Sequence, residues 1–351
     1  MAVNLFTLHS DVTQSAFRRE SLIAGKLCSD YEFTGAKTVK ILSPVTVPMN
    51  AYKRTGTNRY GSPTEMQDIV QELTLTQDRS FALTIDKGND ADQGYAKNAG
   101  KMLMLQIAER AVPEFDKYVF DKLAHQAGFI IGNATAMSKS NICDRISEAG
   151  AMLDDMEVPA YDRMLFVSTQ GYKMLKHSDE FMAVQELGKE ALAKGIVGSY
   201  DNMQVIKVPV TRWPANVNFM IIHKNAATAP VKLSETKLHK DPPGISGHLL
   251  EGREYYDCFV FGPRAWGVYA EIDTGDGNAT QCAMPAIAST GALTCDTTGV
   301  EIWYTTDGSD PRYSTSALRG SHAGNIPGNT VKAYAKKEGM FNSAVNTVVL
   351  G

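Results

Sequence analysis

"FALTIDKGNDADQGYAKNAGKMLMLQIAERAVPEFDKYVFDKL", residues 81–123, changes its periodicity part-way along. Phe81, Leu83 and Ile85 alternate with Ala82 and Thr84, the two-residue rhythm of a strand. Beyond Lys87 and Gly88 every fourth residue from Tyr95 is apolar or small: Ala99, Leu103, Ile107, Ala111, Phe115, Val119, Leu123. The spacing predicts a strand that feeds straight into a long helix. Asn89 or Asp90 caps its start, with Asp90 and Asp92 at the positive end. The pattern runs to about Gln126, Gly128 supplies the stop, and Pro113 kinks or divides the helix. At 1.5 Å per residue such a helix is roughly 55 Å long. A folded chain of this size has a radius of gyration of only about 20 Å, so the helix crosses nearly the whole molecule. A strict four-residue spacing drifts about 40° per step around a helix. The apolar stripe therefore winds, and several elements or several subunits must cover it.

Upstream, "TVKILSPVTVPMNAY" and "LTLTQDRSFALTI" read as two long strands over residues 37–86, with Pro44 and Pro48 marking edge character. They flank "KRTGTNRYGSPTE", residues 53–65, a loop tip rich in Gly, Asn, Ser and Pro. A two-stranded hairpin is barely stable alone in water, so it must lie on this chain or another. Its tip carries Lys53, Arg54 and Arg59. The ordinary reading of these charges is solvation; the sharper ones are contact with nucleic acid or ion pairs with a neighbouring subunit. Residues 1–36 are weakly patterned and read as an N-terminal arm with a short helix around residues 14–27.

Downstream, "NICDRISEAGAMLDDM" is a second helix, "RMLFVST" a buried strand, "QGYKMLKHS" a short helix behind a Ser/Thr cap, and "GSYDNMQVIKVP" a turn and strand. "VNFMIIHK" and the two halves of "REYYDCFVFGPRAWGVYAEI", split at Gly262-Pro263, add strands, so residues 130–272 read as mixed α/β. Composition shifts at "DTGDGNATQ", residues 273–281, a linker. Beyond it come only short strands and Gly, Asp and Pro turns, the pattern of a small β-sandwich.

The 351 residues carry a net charge of −4, against strong general nucleic-acid binding. No apolar run approaches the roughly 20 residues of a membrane span, and no signal peptide is read at the N-terminus. The five cysteines, Cys28, Cys143, Cys258, Cys282 and Cys295, form no C-x-x-C pair and fit reduced thiols, with a Cys282–Cys295 bridge as the minor alternative. The seven histidines lack metal-helix spacing, and no phosphate loop occurs. Asp154-Asp155 reads as a solvated helix end more readily than as a catalytic pair, since neighbours on a helix diverge. Ser168-Thr169 near His177 reads as a helix cap more readily than as a nucleophile with its base. Asp307, Gly308, Asp310 and Pro311 read as a hairpin turn; the calcium-loop alternative lacks ligands. No catalytic, cofactor or metal residue is nominated.

The order of parts resembles the HK97-type major capsid proteins of tailed bacteriophages. The stretches that carry the resemblance are "LTIDKGNDADQ" running into the helix, "AERAVPEFDKYVFDKLA", "GSYDNMQVIKVP" and "EGREYYDCFVFGPRAWGVYA". It covers roughly residues 1–272 and implies an α+β fold: N-terminal arm 1–36, extended β-hairpin (E-loop) region 37–88, spine helix and peripheral domain 89–139, axial domain 140–260, and return strand 261–272. The spine-helix residues expected to pack are Tyr95, Leu103, Ile107, Phe115 and Val119. "VEIWYTTDGSDPRYS" followed by "NTVKAYAKKEGMFNSAV" is similar to the immunoglobulin-like module at the C-terminus of chitobiase and β-hexosaminidase enzymes, placed here at 282–351 behind the linker 273–281. That module is not the catalytic part of those enzymes, so the resemblance implies no hydrolase.

The implied function is self-assembly, as hexamers and pentamers, into an icosahedral head around double-stranded DNA, in the virion after assembly in the host cytoplasm. A separate scaffolding protein and a portal are the implied partners, with no sequence-specific DNA contact, no cofactor and no membrane. The module is expected on the outer face, where glycan or host-surface contact is its further expectation. The competing readings are an encapsulin-like compartment, a carbohydrate-binding or adhesive protein working through its tail, and an enzyme whose site the sequence hides.

Overall fold

Among the described residues, only the inner part of the expected arm is a ribbon. β1 (Thr38–Pro44) pairs antiparallel with β2 (Asp68–Thr74), from Thr38 opposite Thr74 to Pro44 opposite Asp68. The computed structural model describes residues 20–31, 33, 37–46, 49–63, 65–66, 68–92, 99–178, 196–275 and 280–351. Among the described residues of 20–28 there is no helix; the chain turns there and Cys28 bridges to Thr228.

The two-long-strand expectation for 37–86 is corrected at Leu75 and Thr76. There the chain leaves β1, and β3 (Gln77–Asp86) joins a different sheet. Its partner is β11 (Gly247–Tyr256), which also pairs with β10 (Val231–Lys240) in the order β10-β11-β3. Leu73 and Leu75, both buried, pack at the turning point with Phe33 and Phe261.

The helix begins at once. Asp86 Oδ1 accepts the N–H groups of Gly88 (2.8 Å) and Asn89 (3.2 Å), so Asp86 is the N-cap in place of Asn89 or Asp90. α1 (Lys87–Asp92) and α2 (Ala99–Gln106) are followed by a π-helical turn, Ile107–Ala111, and then α3 (Val112–His125). Pro113 lies in the first turn of α3, but the helical path runs unbroken into it from the π turn, so its missing N–H removes an intrahelical bond. The π turn ahead of it takes in an extra residue, and this is how the helix accommodates the proline. Tyr95 lies outside the described residues.

Gly128 does not stop the helix by a left-handed turn. A Cβ there would meet the Ala265 carbonyl oxygen at 2.1 Å, so glycine is needed for close approach of two backbones.

α3 rests on a six-stranded sheet of order β4-β13-β8-β5-β7-β6. Its strands are β4 (Phe129–Asn133), β5 (Arg163–Ser168), β6 (Ile196–Tyr200), β7 (Met203–Val208), β8 (Val217–His223) and β13 (Val268–Asp273). The edge strand β4 and the inner strand β13 thus extend this sheet past 140–260 on both sides. The central strands β5, β8 and β13 are buried on both faces, which explains their near-continuous apolar runs. Met164 and Phe166 point to the core under α3, while Leu165 and Val167 point to the opposite core. That second core is covered by α4 (Ile142–Asp155) and α5 (Thr169–Lys176). Ile142, Ile146, Ala149 and Leu153 are all fully buried, and Ser168 caps α5 by accepting from Gly171 N at 3.0 Å. The β6–β7 turn uses Asp201 and Asn202, both at positive φ, as a two-residue hairpin requires. Arg145 of α4 pairs with Glu271 of β13 at 3.0 Å; burial pushes the Glu271 carboxyl up, against bonds from Asn218 and Arg145.

Gly262-Pro263 does not make a tight turn between two long strands. It opens a 3-10 helix, Gly262–Gly267, between the short β12 (Phe259–Val260) and β13; β12 pairs with β9 (Ala227–Thr228). The C-terminal module is all β. β14 (Ala286–Ile287) pairs with β15 (Leu293–Thr294), facing a four-stranded sheet of order β17-β16-β18-β19. That sheet comprises β16 (Glu301–Thr305), β17 (Leu318–Arg319), β18 (Thr330–Lys336) and β19 (Asn346–Val349). Leu293, Val331, Ala333 and Leu350 form its small core.

Candidate assembly surface and its joints

α3 is the element on which the projecting parts converge. Its buried face comprises Asp116, Val119, Phe120, Leu123 and Ala124, with Phe120 against Phe166 and Trp213 at 5.3 and 5.7 Å between ring centroids. One acidic residue on that face fixes the root of the N-terminal arm. Asp116, with no exposed surface, accepts from Ser21 Oγ (2.6 Å), Leu22 N (3.0 Å) and Arg212 Nη1 (2.6 Å). Arg212 also donates to the Glu20 carbonyl at 2.7 Å.

A second carboxylate fixes the point where β2 gives way to β3. Asp257 accepts from Thr76 N (2.9 Å), Thr76 Oγ1 (2.7 Å), Tyr118 OH (2.6 Å) and Cys258 N (2.8 Å). Tyr118 belongs to α3, so the strand switch is tied to the helix. Burial, and then the bond to Asp257, push the Tyr118 hydroxyl well above its usual range.

The third joint holds the module. Arg312 pairs with Asp310 at 2.7 Å and donates to the carbonyls of Ala127 (3.0 Å) and Gly128 (2.9 Å). Burial opposes its charge, but Tyr313 and the bonds to Asp310 hold the guanidinium firmly protonated. Asp307 organises the same loop, accepting from Ser309 N, Ser309 Oγ and Ser316 Oγ. Burial raises the Asp307 carboxyl, yet those bonds outweigh it and leave the group below its ordinary value. Asp307 and Gly308, the latter at φ +77°, do make a local turn. The whole β16–β17 connection is longer, however, and Asp310 and Pro311 lead into a contact with the body of the chain.

The remaining nominated residues sort by burial. Val119 is fully buried, and Phe115 is half-buried with its ring 5.0 Å from Tyr256. Leu103 and Ile107 are only half-buried, and α2 and the π turn contain no buried residue although α2 reads Ala-Gly-Lys-Met-Leu-Met-Leu-Gln. Lys53, Arg54 and Arg59 stand exposed at the arm tip, where Lys53 N bonds to the Arg59 carbonyl and Arg59 Nε to the Gly56 carbonyl. Tyr52 and Tyr60 stack edge-on at 5.0 Å beside them, and Tyr60 is 85% exposed. Among the described residues neither Lys53 nor Arg54 has an ion-pair partner, and no group of three His, Cys, Asp or Glu could hold a metal. All five cysteines are free thiols. Among the described residues no helix is long and apolar enough to cross a membrane.

Beside the π turn a cavity of about 280 Å³ is lined by Arg79, Arg110, Glu114 and Glu254. Burial, then the nearby Glu114 charge, raise the Glu254 carboxyl. A folded-state value above the unfolded one means that ionised Glu254 costs stability at neutral pH, and that the cost vanishes once pH falls below the ordinary value of about 4.3. Glu254→Gln is therefore expected to raise the melting midpoint at pH 8 and to leave it unchanged near pH 4, measured by calorimetry at both pH values.

The family model described as the Chitobiase/beta-hexosaminidase C-terminal domain matches residues 287–347. No curated protein matches the chain. Solved structures do. A Mycobacterium phage Che8 structure aligns with TM-score 0.63 at 18% identity, covering 78% of this chain and 100% of that one. The capsid structure of Cyanophage P-SCSP1u aligns at 0.62 and 12%, covering 77% and 93%. The mature capsid of bacteriophage PhiM1 aligns at 0.59 and 14%, covering 78% and 92%. The uncovered fifth of the chain is close in size to the C-terminal module. With ribbon arm, long helix, α/β sheet and appended β module in this order, the chain has the HK97-type fold of phage capsid structures, extended by an immunoglobulin-like domain.

Proposed function

We propose that the chain is a major capsid protein, a virion component that assembles from hexamers and pentamers of itself into an icosahedral head around double-stranded phage DNA. The observation that carries the reading is the pairing of this fold with surfaces that one chain leaves uncovered. A two-stranded ribbon ends in exposed tyrosines and cations, and α2 offers methionine and leucine side chains with none buried. Both gain by lying against sister copies, and repeated head-to-tail contacts close into rings when the rotation permits. The role is that of a wall, not a catalyst. Lys53, Arg54 and Arg59 would pair with acidic groups on the neighbouring subunit. A separate scaffolding protein and a portal would complete the assembly in the host cytoplasm, and DNA would be held without sequence-specific contact. The module would lie on the outer face, in a position to meet glycans or a host surface.

Negative-stain microscopy of the purified chain, alone and with its scaffolding partner, tests the reading. Closed shells or capsomer rings are expected; a monodisperse single chain under every assembly condition would count against it. Removing residues 53–65 is expected to leave a folded protein with an unchanged melting midpoint and no shells in the same micrographs. Shells of normal size and yield from that deletion would remove the arm tip from the assembly contacts.

A further inference from the structure

Residues 310–315 touch two parts of the body at once. On one side they and their module take a run of four consecutive backbone carbonyls at the end of α3. Asn342 Nδ2 donates to His125 O (3.1 Å), Tyr313 OH to Gln126 O (2.6 Å), and Arg312 Nη1 to Ala127 O and Gly128 O. Carbonyls at a helix end lack partners within the helix, and a cation there meets the negative end of its dipole. The His125 ring stacks on Phe341 at 4.3 Å with an 8° interplanar angle.

On the other side the same loop takes the outer edge of the ribbon arm. Thr315 N and Thr315 Oγ1 both donate to the Val70 carbonyl of β2, each at 3.2 Å. A two-stranded sheet leaves each strand with an unpaired edge, and here part of that edge is occupied from within the chain. The neighbouring Gln71, 8% exposed, is locked as well: its Nε2 donates to Val260 O and its Oε1 accepts from Gly262 N. Gly262 lies directly under Tyr313, whose Cβ is 2.9 Å from where a side chain on that glycine would begin.

We infer that the module is an intramolecular clamp: residues 310–315 set the angle between the β1–β2 arm and α3. A module displayed on a tether would need no such contacts. Nothing in this inference depends on the chain forming a shell, since the contacts lie within one copy.

Hydrogen exchange of the full-length chain, followed by mass spectrometry, tests it. In Tyr313→Phe/Thr315→Val, peptides covering 68–74 and 122–128 are expected to exchange about tenfold faster than in the wild type, in line with the loss of one half-buried and one exposed hydrogen bond. β18, in the core of the module, is expected to keep its protection. Faster exchange at 122–128 with 68–74 unchanged overturns the proposal, because the module would then dock on the helix without governing the arm. If β18 also loses protection, the single variant Thr315→Val decides, as it touches the arm side alone. About threefold faster exchange confined to 68–74 supports the clamp, and no change there overturns it.

Discussion

Replacing Asp116 by alanine should cost about 3–5 kcal/mol of stability and lower the melting midpoint by on the order of 10 °C. The reason is charge burial. Arg212 is itself 5% exposed, and its 2.6 Å partner on the helix is the carboxylate that would be lost. A guanidinium left in that position keeps its desolvation cost without the compensating attraction. Ser21 Oγ and Leu22 N would lose their acceptor as well. The root of the N-terminal arm should therefore loosen together with the helix. Calorimetry on the single variant reads the total. The double variant Asp116→Leu/Arg212→Met separates the causes, because exchanging a buried ion pair for apolar groups of similar volume is often nearly neutral. A double variant closer to wild type than the single one is the expected result. An Asp116→Ala chain as stable as wild type would show that water reaches Arg212 freely.

The second large effect belongs to Asp257. Its two oxygens accept four hydrogen bonds, from Thr76 N, Thr76 Oγ1, Tyr118 OH and Cys258 N. An asparagine has the same shape but replaces one oxygen by an N–H donor, which would face a fixed backbone N–H, of Thr76 or of Cys258, whichever way the amide turned. Asp257→Asn is expected to cost about 2–4 kcal/mol, measured by urea unfolding. Tyr118→Phe, which removes one donor and leaves Asp257 three others, should cost only about 1 kcal/mol. Equal costs for the two variants would mean that the strand switch at Thr76 does not depend on the carboxylate.

The parts of the fold that follow local rules were legible in the residues. The alternation over 81–85, the turn at Asp201-Asn202, the Ser168 cap and the buried face of α4 all come from interactions within a few positions of one another. The misreadings have distant causes. Residues 37–86 look like one continuous pair of strands because nothing near Thr76 announces a turn; the acid that holds it is 181 positions away. Gly128 after a helical pattern looks like a left-handed stop, and only the Ala265 carbonyl explains it. β10 is not legible in the residues because "VKLSETKLHK" lies at the edge of a three-stranded sheet, where exposed positions need not alternate. Of the joints, Asp116, Arg212 and Asp257 carried no signal at all: each is a common charged residue whose partner lies in another element. Arg312 and Tyr313 stand within residues 300–314, but the Asp, Gly and Pro residues beside them suggest a turn and hide the contact.

The convergence of three joints on α3 also has a mechanical side. The N-terminal root is held at Asp116, the ribbon root through Tyr118, and the module at the residues that follow His125. A twist applied to any one of these appendages is delivered to a single fourteen-residue rod. That rod is seated on the six-stranded sheet by Phe120 and Leu123 and has little freedom to yield. Torque applied to the ribbon would thus travel along the rod to both residues 20–22 and the carboxyl-terminal module, so the three should swing together.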